Sequence, residues 1–166
     1  IWLAMELCPQ PWQSVLGTET NGVAWYRRSI PEDAIGWLAD PRARVRLRFE
    51  SVATDCRAWV NGVEVGRHVG DYVPFEFDIT DALRAGDRSG RLIVRVDQIH
   101  APRPSKGVIT EHGHLTKGFH DVLSLQHAGL WGWVSLRRTS RLSIAPYGVS
   151  VRADPATARV AIEIEF

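Results

Sequence analysis

Residues 57–80 read RAWVNGVEVGRHVGDYVPFEFDIT and carry the clearest structural signal in the chain. Apolar residues flank the dipeptide Asn61-Gly62, and this pair suits a two-residue turn because both central positions of such a turn need positive φ. Asn tolerates that backbone conformation, and Gly adopts it without steric cost. The sequence therefore predicts a β-hairpin here, with one strand ending before Asn61 and the next beginning after Gly62.

Three further segments alternate between apolar and polar residues, which is the pattern of a half-buried β-strand. They are residues 44–49 (RVRLRF), residues 91–96 (RLIVRV) and residues 130–136 (LWGWVSL). The predicted core positions of the first and third segments are Val45, Leu47, Phe49, Leu130, Val134 and Leu136. The arginines of the first segment, and Trp131, Trp133 and Ser135 of the third, are predicted to face outward. These patterns favour an antiparallel sheet with one covered face.

Helix is scarce between these segments. Residues 81–86 (DALRAG) form one helical turn at most, with Thr80 or Asp81 predicted to cap its start and Gly86 to end it in left-handed conformation. Short strands recur about every ten residues, separated by Gly, Pro, Asn and Asp. The sequence therefore predicts an all-β fold, a jelly-roll β-sandwich, rather than a βαβ fold.

Two parts of the chain depart from this rhythm. Residues 100–118 contain two prolines and three glycines without a sustained period, so we expect a long loop of the kind that is often functional. After Pro146 the alternation restarts, and residues 149–151 are predicted to face residues 160–166 across a turn at 154–157. We expect a first domain at residues 1–145, truncated at its N-terminus, and the incomplete start of a second β-domain at residues 146–166.

The bulk composition excludes several classes of partner and site. The 166 residues suit a domain with a sizeable core, and the net charge of +1 gives no electrostatic reason to expect nucleic acid or an anionic membrane as a partner. No apolar run reaches the roughly 18 residues of a membrane span. Cys8 and Cys56 are the only cysteines, and they are either two buried thiols or one disulfide.

The pattern W-V-N-G-x-x-V-G-x-H-x-G-x-Y-x-P-F-x-x-D-I-T at residues 59–80 resembles the signature of the N-terminal sugar-binding domain of glycoside hydrolase family 2, the β-glucuronidase and β-galactosidase group. The resemblance implies a galactose-binding-domain-like jelly roll followed by an immunoglobulin-like β-domain. It also implies a non-catalytic role, since the family's catalytic glutamates lie on a later barrel domain. The implied partners are a carbohydrate and the catalytic barrel of the same parent chain.

A second group of motifs resembles the β-glucuronidase branch of that family. The motifs are KGVITEHG at residues 106–113, GFHD at 118–121 and AGLW at 128–131. In that branch the Asp of F-H-D reaches into the barrel pocket and accepts hydrogen bonds from substrate hydroxyls, a role that the resemblance assigns to Asp121, with His120 beside it. The alternative is an Asp121 that caps a turn beside a structural His120.

Aromatic residues are further candidates for sugar contact, because an aromatic face packs well against the apolar face of a pyranose. Trp25, Tyr26 and Trp59 are expected to be core or inter-sheet residues. Trp133, outward by the alternation, is the best candidate for stacking on a sugar or for an interface. The substrate-binding candidates are therefore Asp121, His120 and Trp133.

The sequence gives weaker support for a catalytic site or a metal site. A retaining glycosidase needs two carboxyl groups about 5 Å apart, and only Glu111 and Asp121 lie near the long loop, so no catalytic pair is predicted. Four histidines, His112, His114, His120 and His127, suggest a zinc site, but no other ligand pattern surrounds them, so neither a metal nor a cofactor is predicted.

The sequence favours an accessory domain of a family 2 glycosidase. The alternatives are an independent carbohydrate-binding module and a structural domain for homo-oligomer contacts.

Overall fold

The structure is a computed structural model, and it describes residues 2–3, 10–16, 22–86, 90–98 and 128–166. Its strands are β1 (Trp2–Leu3), β2 (Val23–Ser29), β3 (Ala43–Phe49), β4 (Val52–Ala53), β5 (Asp55–Val60), β6 (Val63–Val69), β7 (Phe75–Asp78), β8 (Arg91–Asp97), β9 (Gly129–Leu130), β10 (Val134–Ser140), β11 (Val149–Asp154) and β12 (Arg159–Ile164). Its helical segments are α1 (Gln13–Leu16), α2 (Glu32–Gly36), a 3₁₀ turn at Trp37–Ala39 and α3 (Thr80–Ala85).

Two sheets enclose the core. The larger sheet has the strand order β1-β2-β8-β5-β6, and the smaller has the order β10-β3-β7. Strand β4 pairs with β9, and β11 pairs with β12. The all-β sandwich that the sequence predicts is confirmed.

Strand β3 shows how alternation builds this core. Val45, Leu47 and Phe49 are at most 1% exposed, while the three arginines that alternate with them, Arg44, Arg46 and Arg48, lie on the other face. Each large apolar side chain removed from water contributes roughly 1.5–3 kcal/mol. Strand β8 buries alternate residues in the same way.

The hairpin at Asn61-Gly62 is confirmed. Asn61 has φ 51° and Gly62 has φ 85°, and Val60 pairs directly with Val63 across the turn. Two positive φ values match the right-handed twist of the strands that the turn joins.

The run at residues 130–136 differs from the prediction of one strand. Strand β9 ends at Leu130 and pairs with Val52, whereas β10 begins at Val134 and pairs with Phe49. The chain bends between them because the backbone of Gly132 lies against Ser51, to whose carbonyl it donates a hydrogen bond of 3.1 Å. A Cβ at Gly132 would lie 2.5 Å from the Ser51 nitrogen, so this bend requires glycine.

The ends of α3 also differ from the prediction. The Asp78 carboxylate, rather than Thr80 or Asp81, accepts a hydrogen bond of 3.0 Å from the first helical N–H, that of Thr80. Gly86 has φ −84° and is not left-handed. It is a close-approach glycine, because a Cβ there would lie 2.5 Å from Nδ2 of Asn61.

Two tryptophans lie elsewhere than predicted. Trp25 and Trp59 are half-buried on the outer face of the larger sheet, with ring centroids 5.7 Å apart, whereas Tyr26 is a core residue as expected. Burial raises the pKa of the Tyr26 hydroxyl to about 12. The core also takes Trp12, which is 2% exposed.

The predicted hairpin after Pro146 is present as β11 and β12. Val149 pairs with Ile164 and Val151 with Ile162, and all four side chains are exposed. The Tyr147 hydroxyl donates a hydrogen bond of 3.0 Å to the carbonyl of Pro74. None of the helices in the described segments is long and apolar enough to cross a membrane.

Candidate functional site

One end of the sandwich contains several connections between the strands of the two sheets. Strand β5 begins there at Asp55, which is in register with Val69 at the end of β6 and with Asp97 at the end of β8. On the smaller sheet, Phe49 at the end of β3 is in register with Phe75, the first residue of β7. We call this end the loop pole and define it by residues 50–54, 70–74, 98 and 128–133.

Asp121 and His120 fall in the stretch 99–127, outside the described residues, as do Glu111, His112, His114 and His127. The two residues that flank this stretch, Gln98 and Ala128, are both buried at the loop pole. Each is held by a backbone hydrogen bond of 3.0 Å, from Gln98 N to the carbonyl of Gly22 and from Trp12 N to the carbonyl of Ala128. The stretch that contains Asp121 is therefore connected to the pole at both of its flanks.

Trp133 lies at this pole and is 64% exposed. It follows the bend at Gly132 rather than lying in a strand, and its carbonyl accepts a hydrogen bond of 2.9 Å from the N–H of Glu50. The backbone that carries the indole is thus held in place by the β3–β4 connection.

Tyr72 and Trp131 add to the aromatic surface of the pole. Their rings meet edge to face with centroids 5.4 Å apart, and Tyr72 is 47% exposed. An edge-to-face pair is favourable because the positive edge of one ring meets the negative face of the other.

Asp71 is the buried carboxyl group of the pole, at 6% exposure, and the sequence analysis did not select it. The Ser51 hydroxyl donates to its backbone carbonyl, and the Thr54 hydroxyl bonds to its carboxyl group. Its Oδ1 has no hydrogen-bond partner in the described part of the chain. Burial raises the pKa of Asp71, and the bond from Thr54 offsets only part of that rise. The only sequence signal was an acidic residue in the turn between Gly70 and Tyr72.

His68, which belongs to the motif at residues 59–80, packs against a core aromatic residue. Its ring stacks on Phe75 with centroids 4.0 Å apart. Burial lowers the pKa of His68, so the neutral imidazole is favoured in this apolar contact.

Two carboxylates lie opposite each other near the pole, but both are held in ion pairs. Asp55 accepts two hydrogen bonds from Arg67, at 2.8 and 2.9 Å, and Asp97 accepts one of 2.6 Å from Arg95. Both carboxylates therefore serve as partners of arginines on this sheet face. Within the described ranges there is also no group of three or more His, Cys, Asp or Glu residues that could hold a metal ion. Cys56 is a buried free thiol.

Comparison with known proteins places this geometry in context. The family model described as glycosyl hydrolases family 2, sugar binding domain, matches residues 8–139. A β-galactosidase of Thermoanaerobacter pseudethanolicus is 35% identical over 91 residues, which are 54% of this chain and 12% of that protein. The β-glucuronidase of Homo sapiens is 39% identical over 77 residues, 45% of this chain and 11% of that protein.

A solved structure shows the same fold. A calcium binding mutant of Bacteroides uniformis β-glucuronidase 2 aligns with a TM-score of 0.62 at 23% identity, over 90% of this chain and 17% of that one. This chain matches only about an eighth or less of the length of the β-galactosidase and the β-glucuronidase named above.

Proposed function

Because the chain belongs to the sugar binding domain of glycosyl hydrolases family 2, we propose that it serves a β-glycosidase of the β-glucuronidase and β-galactosidase type as its accessory domain. It hydrolyses no glycosidic bond by itself. It supports the catalytic barrel of the parent chain and contributes contacts to the substrate pocket.

The observation that carries this proposal is the composition of the loop pole. Gln98 and Ala128, which flank the stretch holding Asp121, are buried at the same end of the sandwich that exposes Trp133. We assign to Asp121 the acceptance of hydrogen bonds from sugar hydroxyls, with His120 as its neighbour. A carboxylate suits this role because charge-assisted hydrogen bonds are strong. Trp133 supplies an aromatic face for the ring of the sugar.

The decisive experiment uses Asp121→Ala in the full parent enzyme. We expect kcat/KM for an aryl β-glucuronide or β-galactoside to fall by the equivalent of roughly 2–4 kcal/mol, since a charged hydrogen-bond partner is lost from a desolvated pocket. The melting temperature should barely change.

Asp154→Ala is the matched control for a turn-capping role. The Asp154 carboxylate accepts hydrogen bonds from Ala156 N at 3.0 Å and from the Thr157 hydroxyl at 2.6 Å. This variant should lose stability and keep its kinetics. If Asp121→Ala behaves in the same way, Asp121 is a turn cap and leaves the site.

The 166-residue chain alone tests the accessory role. We expect it to hydrolyse neither substrate above the uncatalysed rate. Turnover that survives repurification and disappears in Glu111→Gln or Asp121→Asn would show instead that this domain is catalytic.

The exposure of Trp133 and Tyr72 favours a second candidate function, an independent carbohydrate-binding module. In that case the 166-residue chain binds β-linked oligosaccharides in calorimetry, and Trp133→Ala abolishes the binding without lowering the melting temperature. Phe166→Ala is the control, because Phe166 is 69% exposed and lies outside the pole. Absence of binding by the unmodified chain would exclude this function.

The division of the chain is part of the same proposal. We assign residues 1–145 to the sugar-binding sandwich and residues 146–166 to the start of an immunoglobulin-like β-domain. The exposed apolar residues of β11 and β12 support this division, because a paired hairpin rarely leaves so much apolar surface in water. A homo-oligomer contact is the alternative role for that surface.

A further inference from the structure

Three arginines lie side by side on the outer face of the larger sheet. Arg95 on β8 is in register with Arg57 on β5, and Arg57 is in register with Arg67 on β6. Directly opposed residues of antiparallel strands have Cβ atoms about 4.5–5.5 Å apart, and like charges there destabilise the sheet. The row therefore requires negative charge close by.

Two of the three arginines have a carboxylate as their partner. Arg67 holds the carboxylate of Asp55 through two hydrogen bonds of 2.8 and 2.9 Å, and Arg95 holds that of Asp97 at 2.6 Å. Asp55 lies on the same strand as Arg57 and opposite Asp97, but the two carboxylates are bonded to the outer arginines of the row.

Arg57 is that centre. It is half-buried, and its Nε is shielded from solvent without a hydrogen-bond partner among the described residues. Within those residues it also makes no ion pair. Glu64, opposite Trp59 on the same face, acts electrostatically on Arg67. Of the three guanidinium groups, Arg57 is therefore the one that no carboxylate of the described residues pairs with.

An aromatic surface adjoins this charge. Trp59 follows Arg57 by two residues on the same face of β5, and its ring stacks with that of Trp25 on β2 at a centroid distance of 5.7 Å. Between these strands lies β8, with half-buried Ile93 in register with Trp59. The face thus presents, beside a pair of indoles, a planar cation that no described residue pairs with.

We propose that Arg57 is the centre of a second binding site, on this sheet face, for a carboxylate-bearing sugar such as a uronic acid residue of a glycan. The guanidinium fork matches a carboxylate in shape and hydrogen-bonding geometry. The apolar face of a pyranose ring packs on an indole, which accounts for the neighbouring Trp59. The bound carboxylate gives Arg57 the ion-pair partner that the described residues do not supply.

The size and charge of the patch favour a sugar over an acidic protein surface. A stable protein interface buries about 800 Å² on each partner and uses many contacts. Here one guanidinium without an ion pair among the described residues lies beside two indoles, which fits one charged ring. The site is independent of the loop pole and of the activity of the parent enzyme.

The test is a titration of the 166-residue chain with a short oligogalacturonate, followed by calorimetry and tryptophan fluorescence. We expect saturable binding that weakens with added salt, because the contact is electrostatic and partly exposed. The methyl-esterified oligosaccharide has the same rings without the charge and should bind at least about tenfold more weakly.

Four variants separate this site from its alternatives. Arg57→Gln should weaken binding at least about tenfold, and Arg57→Lys should also weaken it, because Lys keeps the charge and loses the fork. Arg91→Gln is the matched control, since Arg91 lies on the same strand and face as Arg95 and its loss changes the charge equally. It should bind as the unmodified chain does, and so should Phe166→Ala, which changes an exposed residue outside both sites. Circular dichroism and the melting temperature check that each variant is folded.

Several results would overturn the proposal. They are absence of binding to oligogalacturonate, equal binding of the methyl ester, and equal losses in Arg57→Gln and Arg91→Gln. A polyglutamate peptide that binds as tightly as the sugar would identify a protein ligand instead. A dimer in sedimentation that dissociates in Arg57→Gln would identify a second copy of the chain.

Discussion

The side chain of Asn61 connects the β5–β6 turn to strand β8, because its Oδ1 accepts a hydrogen bond of 2.9 Å from the backbone N–H of Arg91. The backbone N–H of Asn61 donates to the carbonyl of Arg91, also at 2.9 Å. Its Nδ2 lies 3.4 Å from the carbonyl of Ala82 in α3. Asn61 therefore provides the turn conformation and also joins three elements of the fold.

We predict that Asn61→Ala destabilises the protein by about 2–3 kcal/mol, measured by urea unfolding. About 1 kcal/mol or more comes from a Cβ-bearing residue held at positive φ without local compensation, and the rest from the lost hydrogen bonds. Asn61→Gly removes the side-chain hydrogen bonds, but Gly adopts positive φ without strain. This variant should therefore lower the free energy of unfolding by only about 1 kcal/mol. Equal losses in the two variants would show that the backbone conformation contributes nothing.

We predict that Gly66→Ala destabilises the fold by about 1–3 kcal/mol through overpacking. A Cβ at Gly66 would overlap the ring of Phe77, which lies on β7 of the smaller sheet. Phe77→Leu in the Gly66→Ala background should recover part of the loss, because it opens space at the same point. Additive costs in this double-mutant cycle would contradict the predicted contact.

We predict that Asp71→Asn stabilises the protein at neutral pH. Burial raises the pKa of Asp71, so the folded state favours the protonated carboxyl. The stabilisation that the protonated Asp71 contributes is fully present below the pKa of this group in the unfolded state, near 3.8. It is lost as the pH rises through the pKa of the folded state. Asn stays neutral, so the difference in unfolding free energy between variant and parent should grow across this window. A difference that is constant with pH would exclude the ionisation of Asp71 as its cause.

We predict that removal of residues 146–166 changes the melting temperature by less than about 4 °C, as expected for the loss of an exposed contact worth about 1 kcal/mol. The hydroxyl of Tyr147 is bonded to Pro74, and both residues lie at the surface. Tyr147→Phe should reproduce most of the change. Loss of cooperative unfolding in the shortened chain would show that the hairpin is part of the sandwich.

Part of the candidate site was predictable from the sequence, and part depended on the fold. The exposure of Trp133 agrees with the prediction, although it arises from the bend at Gly132 rather than from strand alternation. The burial of Asp71 could not be predicted, because it depends on Ser51 and Thr54, which reach it from a connection about 20 residues away. The roles of Asp121 and His120 stay predictions.

Features that depend on local backbone chemistry can be predicted from the amino-acid sequence alone. The turn at Asn61-Gly62 follows from the φ preferences of two adjacent residues, and the faces of β3 follow from the two-residue period of a strand. Contacts between residues on different strands depend on the three-dimensional fold. The close approach of Gly86 to Asn61, the outward position of Trp59 and the row centred on Arg57 all depend on register between segments far apart in the chain, and a single strand carries no information about its neighbour.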